Sequence, residues 1–430
     1  MNKSIDIYLN ESEMPDKWYN FVPFLPKKMP AAKNHETDVC SDQAGLMQKI
    51  RPKELLLQDH YEGKYIKIPG EVRDRLFQIG RSTPLRRAAA LEKYLGTPAH
   101  IYFKREDLLL TGSFKLSTAI PQLYYARNEG FKGVVSETGA GQWGMALALS
   151  SKFYGLECNV FMAKCSLEQK PYRKIYMDLL GAEVIPSPSI LTSTGRDILM
   201  ENKHHAGTLG TAISDAVAYA KDNKDFAYLS GSNTTHVLIH QTLLGLETKK
   251  QMEKAGEKPD MLFACISGGS NLGGFMLPFI EERMNNEVLY IGAESSAAPR
   301  LTQGNYEYDY SDYKGYTPLV KSYTMGHSFI PDPVHAGGLR QHSGSPVAGL
   351  LRHENLLDAK AYSEKVAFEA AKVFLETEGV LVAPETSHAV AAVIETALEL
   401  KRANKKKNLV MLCSGSGMLD LEGYKSVIEK

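Results

Sequence analysis

The chain has no apolar run approaching the roughly 18 residues that a membrane-spanning helix requires. It has no excess of charge of either sign, with 50 lysines and arginines against 50 aspartates and glutamates. That balance leaves no electrostatic footprint for nucleic acid or for an anionic membrane. Cysteine is scarce. The five residues, Cys40, Cys158, Cys165, Cys265 and Cys413, form no CxxC pair and are odd in number. Reduced thiols in a cytoplasmic protein are therefore expected, not a disulfide framework. His204-His205 stands in a polar stretch without further ligands at zinc spacing, so no metal site is expected there. The N-terminus is polar and acidic, unlike a secretory signal. Internal repeats and low-complexity segments are absent as well.

What is present is a globular composition, 43% hydrophobic and 23% charged. A chain of 430 residues exceeds one ordinary core, which predicts two domains. Residues 1 to about 60 are proline-rich, but Trp18, Tyr19, Phe21, Val22, Phe24 and Leu25 give them the aromatic density of a packed arm. From residue 71 onward helical and strand patterns alternate. Helices are expected at Glu71–Ile79, Leu116–Glu129, Met145–Tyr154, Tyr172–Leu180, Val237–Ala255, Ser363–Thr377 and Ser387–Leu400. Strands are expected at His100–Lys104, Gly133–Ser136, Asn159–Met162, Glu183–Pro186, Met261–Ile266, Val288–Ala293 and Leu409–Leu412. Residues 299–350 show little periodicity and read as a long functional loop. The βαβ rhythm predicts parallel sheets covered on both faces, with ligands beyond the carboxyl ends of the strands.

Chemistry-bearing residues stand at those strand ends. Lys115 closes Thr111-Gly112-Ser113-Phe114-Lys115 between a strand and a helix. It is either a surface lysine in a first helical turn or an amine held in a pocket to condense with an aldehyde cofactor, its pKa lowered by burial. Glu137-Thr138-Gly139-Ala140-Gly141-Gln142-Trp143-Gly144 follows a second strand. Its small residues let backbone N–H groups converge on an anion such as a carboxylate, with Glu137 at the rim for acid/base work. The plain alternative is a glycine-rich connection with a solvated glutamate. Ser267-Gly268-Gly269-Ser270-Asn271 follows a third strand and suits a phosphate; it is neither a P-loop nor GxGxxG. Ser414, in Cys413-Ser414-Gly415-Ser416-Gly417, is a turn serine or the partner of a neutral ring nitrogen. In Glu385-Thr386-Ser387-His388-Ala389, Ser387 reads as a helix cap and Glu385 points to the ligand edge. A lysine, a carboxylate loop, a phosphate nest and a ring-nitrogen partner are together the parts of a pyridoxal-phosphate site.

These motifs, with Lys104-Arg105-Glu106-Asp107, resemble the tryptophan synthase β-subunit family from about residue 5 to residue 425. The arm, Glu168-Gln169-Lys170-Pro171-Tyr172-Arg173, Pro186-Ser187-Pro188-Ser189 and His335-Ala336-Gly337-Gly338-Leu339-Arg340 resemble its second, divergent branch. The resemblance implies an α/β fold of the fold-type II class: two doubly wound parallel-sheet domains with pyridoxal 5'-phosphate between them. Residues 1–80 with 114–236 would form one domain, and 81–113 with 237–430 the phosphate-binding one. Lys115 would be the Schiff-base lysine and α-proton base. Glu137 would help expel the serine hydroxyl and assist indole attack. Thr138, Gly139, Ala140, Gly141 and Gln142 would hold the substrate carboxylate. Gly268, Gly269, Ser270 and Asn271 would hold the phosphate, with Glu385 near the cofactor ring and Ser414 facing its nitrogen. A homodimer and a monovalent cation are further implications, and an α-subunit partner is left open.

The chain departs from the family pattern at several points. Phe114 replaces the usual histidine beside the cofactor phosphate, and Phe114 has no donor. Ser117 replaces an asparagine, and Ser267 the first glycine of the phosphate loop. Arg340-Gln341-His342-Ser343-Gly344 replaces the end of Gly-Leu-Arg-Tyr-His-Gly, and Ser416-Gly417-Met418-Leu419-Asp420 also differs. The implied reaction is β-replacement on L-serine, or on an activated serine such as O-phosphoserine, with indole to give L-tryptophan. The alternatives are a different nucleophile such as a thiol, elimination to pyruvate and ammonia, or a non-catalytic subunit. Arg340 or His342 would then meet an acidic group or form a structural ion pair.

Overall fold

The computed structural model of the chain describes residues 5–429. Two sheets carry the architecture. The smaller has four parallel strands in the order Glu183–Ser187, Glu157–Ala163, Gly133–Thr138, Phe226–Tyr228. The larger has seven, in the order Asp6–Ile7, Leu85–Arg87, His100–Arg105, Asn408–Cys413, Met261–Cys265, Leu289–Ser295, Asp358–Tyr362. Its first two strands run antiparallel at one edge, and the other five are parallel.

Both sheets are buried on both faces, as their continuous apolar runs require. On the small sheet Val134 and Val160 face one core, while Val135 and Phe161 face another under Leu209–Asp222. On the large sheet Ile101, Phe103, Phe263 and Met411 pack beneath Glu364–Glu378 and Pro384–Arg402. Local signals set helix ends. Ser363 accepts from Val366 N at the start of Glu364–Glu378, and Gly379, at φ 69°, ends it in the left-handed conformation that lacks a penalty only for glycine.

Several sequence expectations need correction. Ser387 is not a cap: Pro384–Arg402 begins three residues earlier, and Ser387 Oγ donates to the Pro384 carbonyl at 2.6 Å inside the first turn. The single helix expected at 237–255 is two, Thr235–Gln241 and Leu243–Ala255. They part at Thr242, whose hydroxyl donates to Ile239 O at 2.6 Å and accepts from Tyr19 N at 3.0 Å. The aromatic arm is thereby docked on its own chain: Trp18 is fully buried, its ring 4.6 Å from that of His240. Residues 299–350 are not one loop. They contain the hairpin Asn305–Asp309/Val320–Thr324 and the start of the helix Pro346–His353. Buried Asp312 orders the turn between the hairpin strands, accepting from Ser214 Oγ, Tyr316 N, Thr317 N and Thr317 Oγ1 at 2.7–3.0 Å. Such polar ordering carries no hydrophobic period, so the sequence did not reveal it.

Candidate active site

The carboxyl ends of the parallel strands converge on one cavity. Ser113, Phe114 and Lys115 reach it from the loop after His100–Arg105. Glu137, Thr138, Gly139, Ala140 and Gln142 reach it from the small sheet. Ser267, Gly268, Gly269, Ser270 and Asn271 reach it after Met261–Cys265, and Ser414 after Asn408–Cys413. Glu385 completes the wall. Ser113 and Gly415, at opposite ends of the sequence's site motifs, are brought together.

Lys115 sits at the head of the helix Leu116–Asn128. Its place is secured by Phe114 N donating to Ser414 O at 3.2 Å and by the bridge between Ser113 and Gly415. Its Nζ donates to the Gly231 carbonyl and lies 3.2 Å from Ser270 Oγ. Burial pulls the amine down to about 8, against the opposing pull of Glu137, Cys265 and Glu385. A useful fraction is therefore neutral near pH 7.

Glu137 is 3% exposed. Burial pushes its carboxyl up to about 7, although Tyr228 OH donates to Oε2 at 2.9 Å and Ser136 Oγ at 3.3 Å. A carboxyl near neutrality can both give and take a proton. Arg51, from the N-terminal arm, lies 5.4 Å over the Tyr228 ring and favours the carboxylate.

The loop at 138–141 heads the helix Gln142–Tyr154. Thr138 Oγ1 accepts from Gly141 N and Gly144 N at 3.2 and 3.3 Å. Gly141, at φ 97°, is thus spent on the turn, and it does not line the cavity with its four neighbours. The Lys170-Pro171-Tyr172-Arg173 motif secures this loop from outside the cavity. Arg173 donates to Ala140 O at 2.6 Å and to Asp420 at 2.7 Å, and Lys170 bonds the other oxygen of Asp420 at 2.5 Å. Glu385 links two walls, accepting from Gln142 Nε2 at 3.0 Å and from Gly338 N at 2.8 Å. Burial disfavours its charge, but Arg173, Lys170 and the Gly338 bond hold its pKa below the usual carboxylate range.

The residues present fit pyridoxal phosphate. A lysine amine, a turn of glycines with no Cβ to block it, and a neutral Ser414 hydroxyl face one space. Ser414 Oγ is 2.7 Å from Thr386 Oγ1 and 3.6 Å from Cys265 Sγ, and no carboxylate among the described residues is hydrogen-bonded to it. A Cβ on Gly268 would fall 2.4 Å from that of Ser232.

Neither Arg340 nor His342 lines the cavity. Arg340 donates to Ser166 Oγ, and His342 Nε2 meets Tyr310 O at 2.8 Å. Between them Gln341 does face it, with Leu339. Also missed were Cys265, Leu209 and the Gly231-Ser232 turn. That turn had a usable signal, since Ser230-Gly231-Ser232-Asn233 follows a strand as the other site turns do.

Comparison with known proteins agrees with this geometry. A family described as pyridoxal-phosphate dependent enzyme matches residues 76–415. The tryptophan synthase β chain 2 of Methanothermobacter thermautotrophicus is 46% identical, over 100% of this chain and 99% of the relative. The tryptophan synthase β chain of Pyrococcus horikoshii is 46% identical, over 98% and 92%. Among solved structures, the processed threonine deaminase isoform 2 of Solanum lycopersicum superposes with a TM-score of 0.61 at 20% identity, covering 94% of this chain and 98% of that one. The serine racemase of Dictyostelium discoideum gives 0.58 at 19%, covering 86% and 99%. At such identities these two speak for the fold alone.

Proposed function

The chain belongs to the pyridoxal-phosphate-dependent enzymes, among the tryptophan synthase β chains, and on that premise we propose how its residues divide the reaction. L-Serine and indole give L-tryptophan and water. Pyridoxal phosphate, when bound, supplies an electron sink for the α-carbon of an amino acid joined to it. Lys115 would hold the cofactor and, with its amine near 8, would take up the α-proton and give it back to the α-carbon after indole has added. Glu137, near 7, delivers a proton to the departing serine hydroxyl, which leaves as water, and its carboxylate then receives the proton that indole gives up. Thr138, Gly139, Ala140 and Gln142 hold the substrate carboxylate, and Gly141 shapes the turn that presents them. Gly268, Gly269, Ser270 and Asn271 would hold the phosphate, and Ser414 would face the ring nitrogen with a neutral hydroxyl.

The observation that carries the reading is Lys115 and Glu137 in one cavity with their pKa values moved toward each other by burial. Serine and indole supplied to protein loaded with pyridoxal phosphate should yield tryptophan; a reaction mixture that forms none sinks it. Lys115→Ala should also abolish the visible absorbance of the lysine-bound cofactor. Residues 1–80 with 114–236, and 81–113 with 237–430, are read as the two domains. A cytoplasmic homodimer is the expected form, checked by sedimentation. No helix among the described residues is long and apolar enough to cross a membrane.

A further inference from the structure

A buried positive charge stands behind the Ser267–Asn271 turn without a bonded anion. Arg300 is 1% exposed. Its Nη2 donates to the Ser267 carbonyl, and its Nη1 has no hydrogen-bond partner. The carboxylate that acts on it through space, Glu294, is engaged elsewhere: it accepts from Leu301 N, Thr302 N and Thr302 Oγ1 at 2.7–3.0 Å. A guanidinium taken out of water in this way is costly unless an anion is brought to it. The chain makes room for it. A Cβ on Gly344 would fall 2.5 Å from the guanidinium.

Two further donors are idle at the same turn. Ser267 Oγ and Gln341 Nε2 are buried without partners, and both residues line the cavity. The Gln341 amide lies against Gly268, where a Cβ would come within 2.9 Å of its oxygen. Ser345 N donates to Gly268 O at 2.9 Å and ties the 341–345 segment to the turn. Phe114 lines the same cavity and offers no donor. Idle donors and a cation with no bonded anion at one turn describe a seat for an anion with several acceptor oxygens.

We propose that Ser267 and Gln341 are cofactor-phosphate ligands of this chain. Arg300 is a positioning residue whose charge, acting through Ser267, lets the turn hold a phosphate without help from position 114. This rests on the pyridoxal-phosphate reading above. The test titrates cofactor-free protein with pyridoxal 5'-phosphate and, separately, with pyridoxal, which lacks the phosphate. The ³¹P resonance of the bound cofactor is recorded alongside.

Gln341→Leu and Ser267→Ala should each weaken pyridoxal-phosphate binding about fivefold to tenfold, and Arg300→Met about tenfold or more. Each should move the ³¹P resonance, and none should change pyridoxal affinity. Arg300→Lys, which keeps the charge, should recover most of the loss. If Arg300→Met does not fold, Gln341→Leu at the cavity wall carries the test. Pyridoxal-phosphate affinity unchanged within about twofold in Gln341→Leu and Ser267→Ala, or equal losses for both aldehydes, would overturn the proposal alone. Wild-type protein that bound neither aldehyde would overturn the functional reading with it.

Discussion

Arg81 and Arg300 are both buried guanidinium groups, and their surroundings are opposite. Arg81 bonds both oxygens of Glu106 and both of Glu247, at 2.8–3.1 Å. Lys104 joins them, donating to Glu247 at 2.6 Å. Two cations thus meet two carboxylates, and although burial disfavours the Arg81 charge, Glu106 and Glu247 more than restore it. Arg300 has no bonded carboxylate, and burial pulls it down to about 10. The difference separates framework from site. The closed cluster pins Leu243–Ala255 to the edge of the large sheet. Through Arg81 Nη1 to Ser117 Oγ, at 2.7 Å, it also steadies the helix that carries Lys115. The open charge is left for a ligand.

The largest effect should come from breaking the closed cluster. Glu247→Gln leaves Arg81 and Lys104 short of one carboxylate and should lower unfolding free energy by about 3–5 kcal/mol, read from urea midpoints. A loss below about 1 kcal/mol would erase the distinction.

Glu137 is the carboxyl counterpart of Arg300, buried without a cation bonded to it. Below pH 4.5 folded and unfolded chains both hold its proton. As pH rises to about 7 the unfolded chain releases that proton while the folded chain keeps it, so this contribution to stability is lost. Glu137→Gln should therefore be more stable than wild type above pH 7, by about 3 kcal/mol, and indistinguishable below pH 4.5. Urea midpoints at the two pH values check the sign.

Tyr228→Phe removes a donor from the Glu137 carboxylate and should move the Glu137 limb of the pH–rate profile upward by about one unit. An unmoved limb would remove Tyr228 from the acid/base apparatus. The smallest effect sharpens the contrast most. Arg300→Met, in cofactor-free protein, should change stability by less than about 1 kcal/mol, or raise it, because a buried charge with no bonded anion is replaced by an apolar side chain. A loss as large as that of Glu247→Gln would make Arg300 framework after all.

The legible parts of this site share one form, a small-residue turn after an apolar strand. Lys115, Glu137 to Gln142, Gly268 to Asn271 and Ser414 all have it, and all line the cavity except Gly141. Gln341 and Arg300 lie in a stretch without apolar period, so nothing local tells which side chain turns inward. There the sequence allowed Arg340 or His342 to meet an acidic group or to form a structural ion pair, and the cavity took the residue between them. Ser387 shows the same limit: a serine near a helix start reads as a cap, but Pro384 opens the helix earlier.

By itself, then, the order of residues determined the alternation of strands and helices, because each element is written within a dozen neighbouring positions, and the cofactor class, because several such short motifs recur together after strands. The protonation of Lys115 and Glu137, the aim of Gln341 and the isolation of Arg300 were decided only by the tertiary structure. These depend on how much water is excluded and which distant carboxylates come within bonding range, and both are properties of segments packed together.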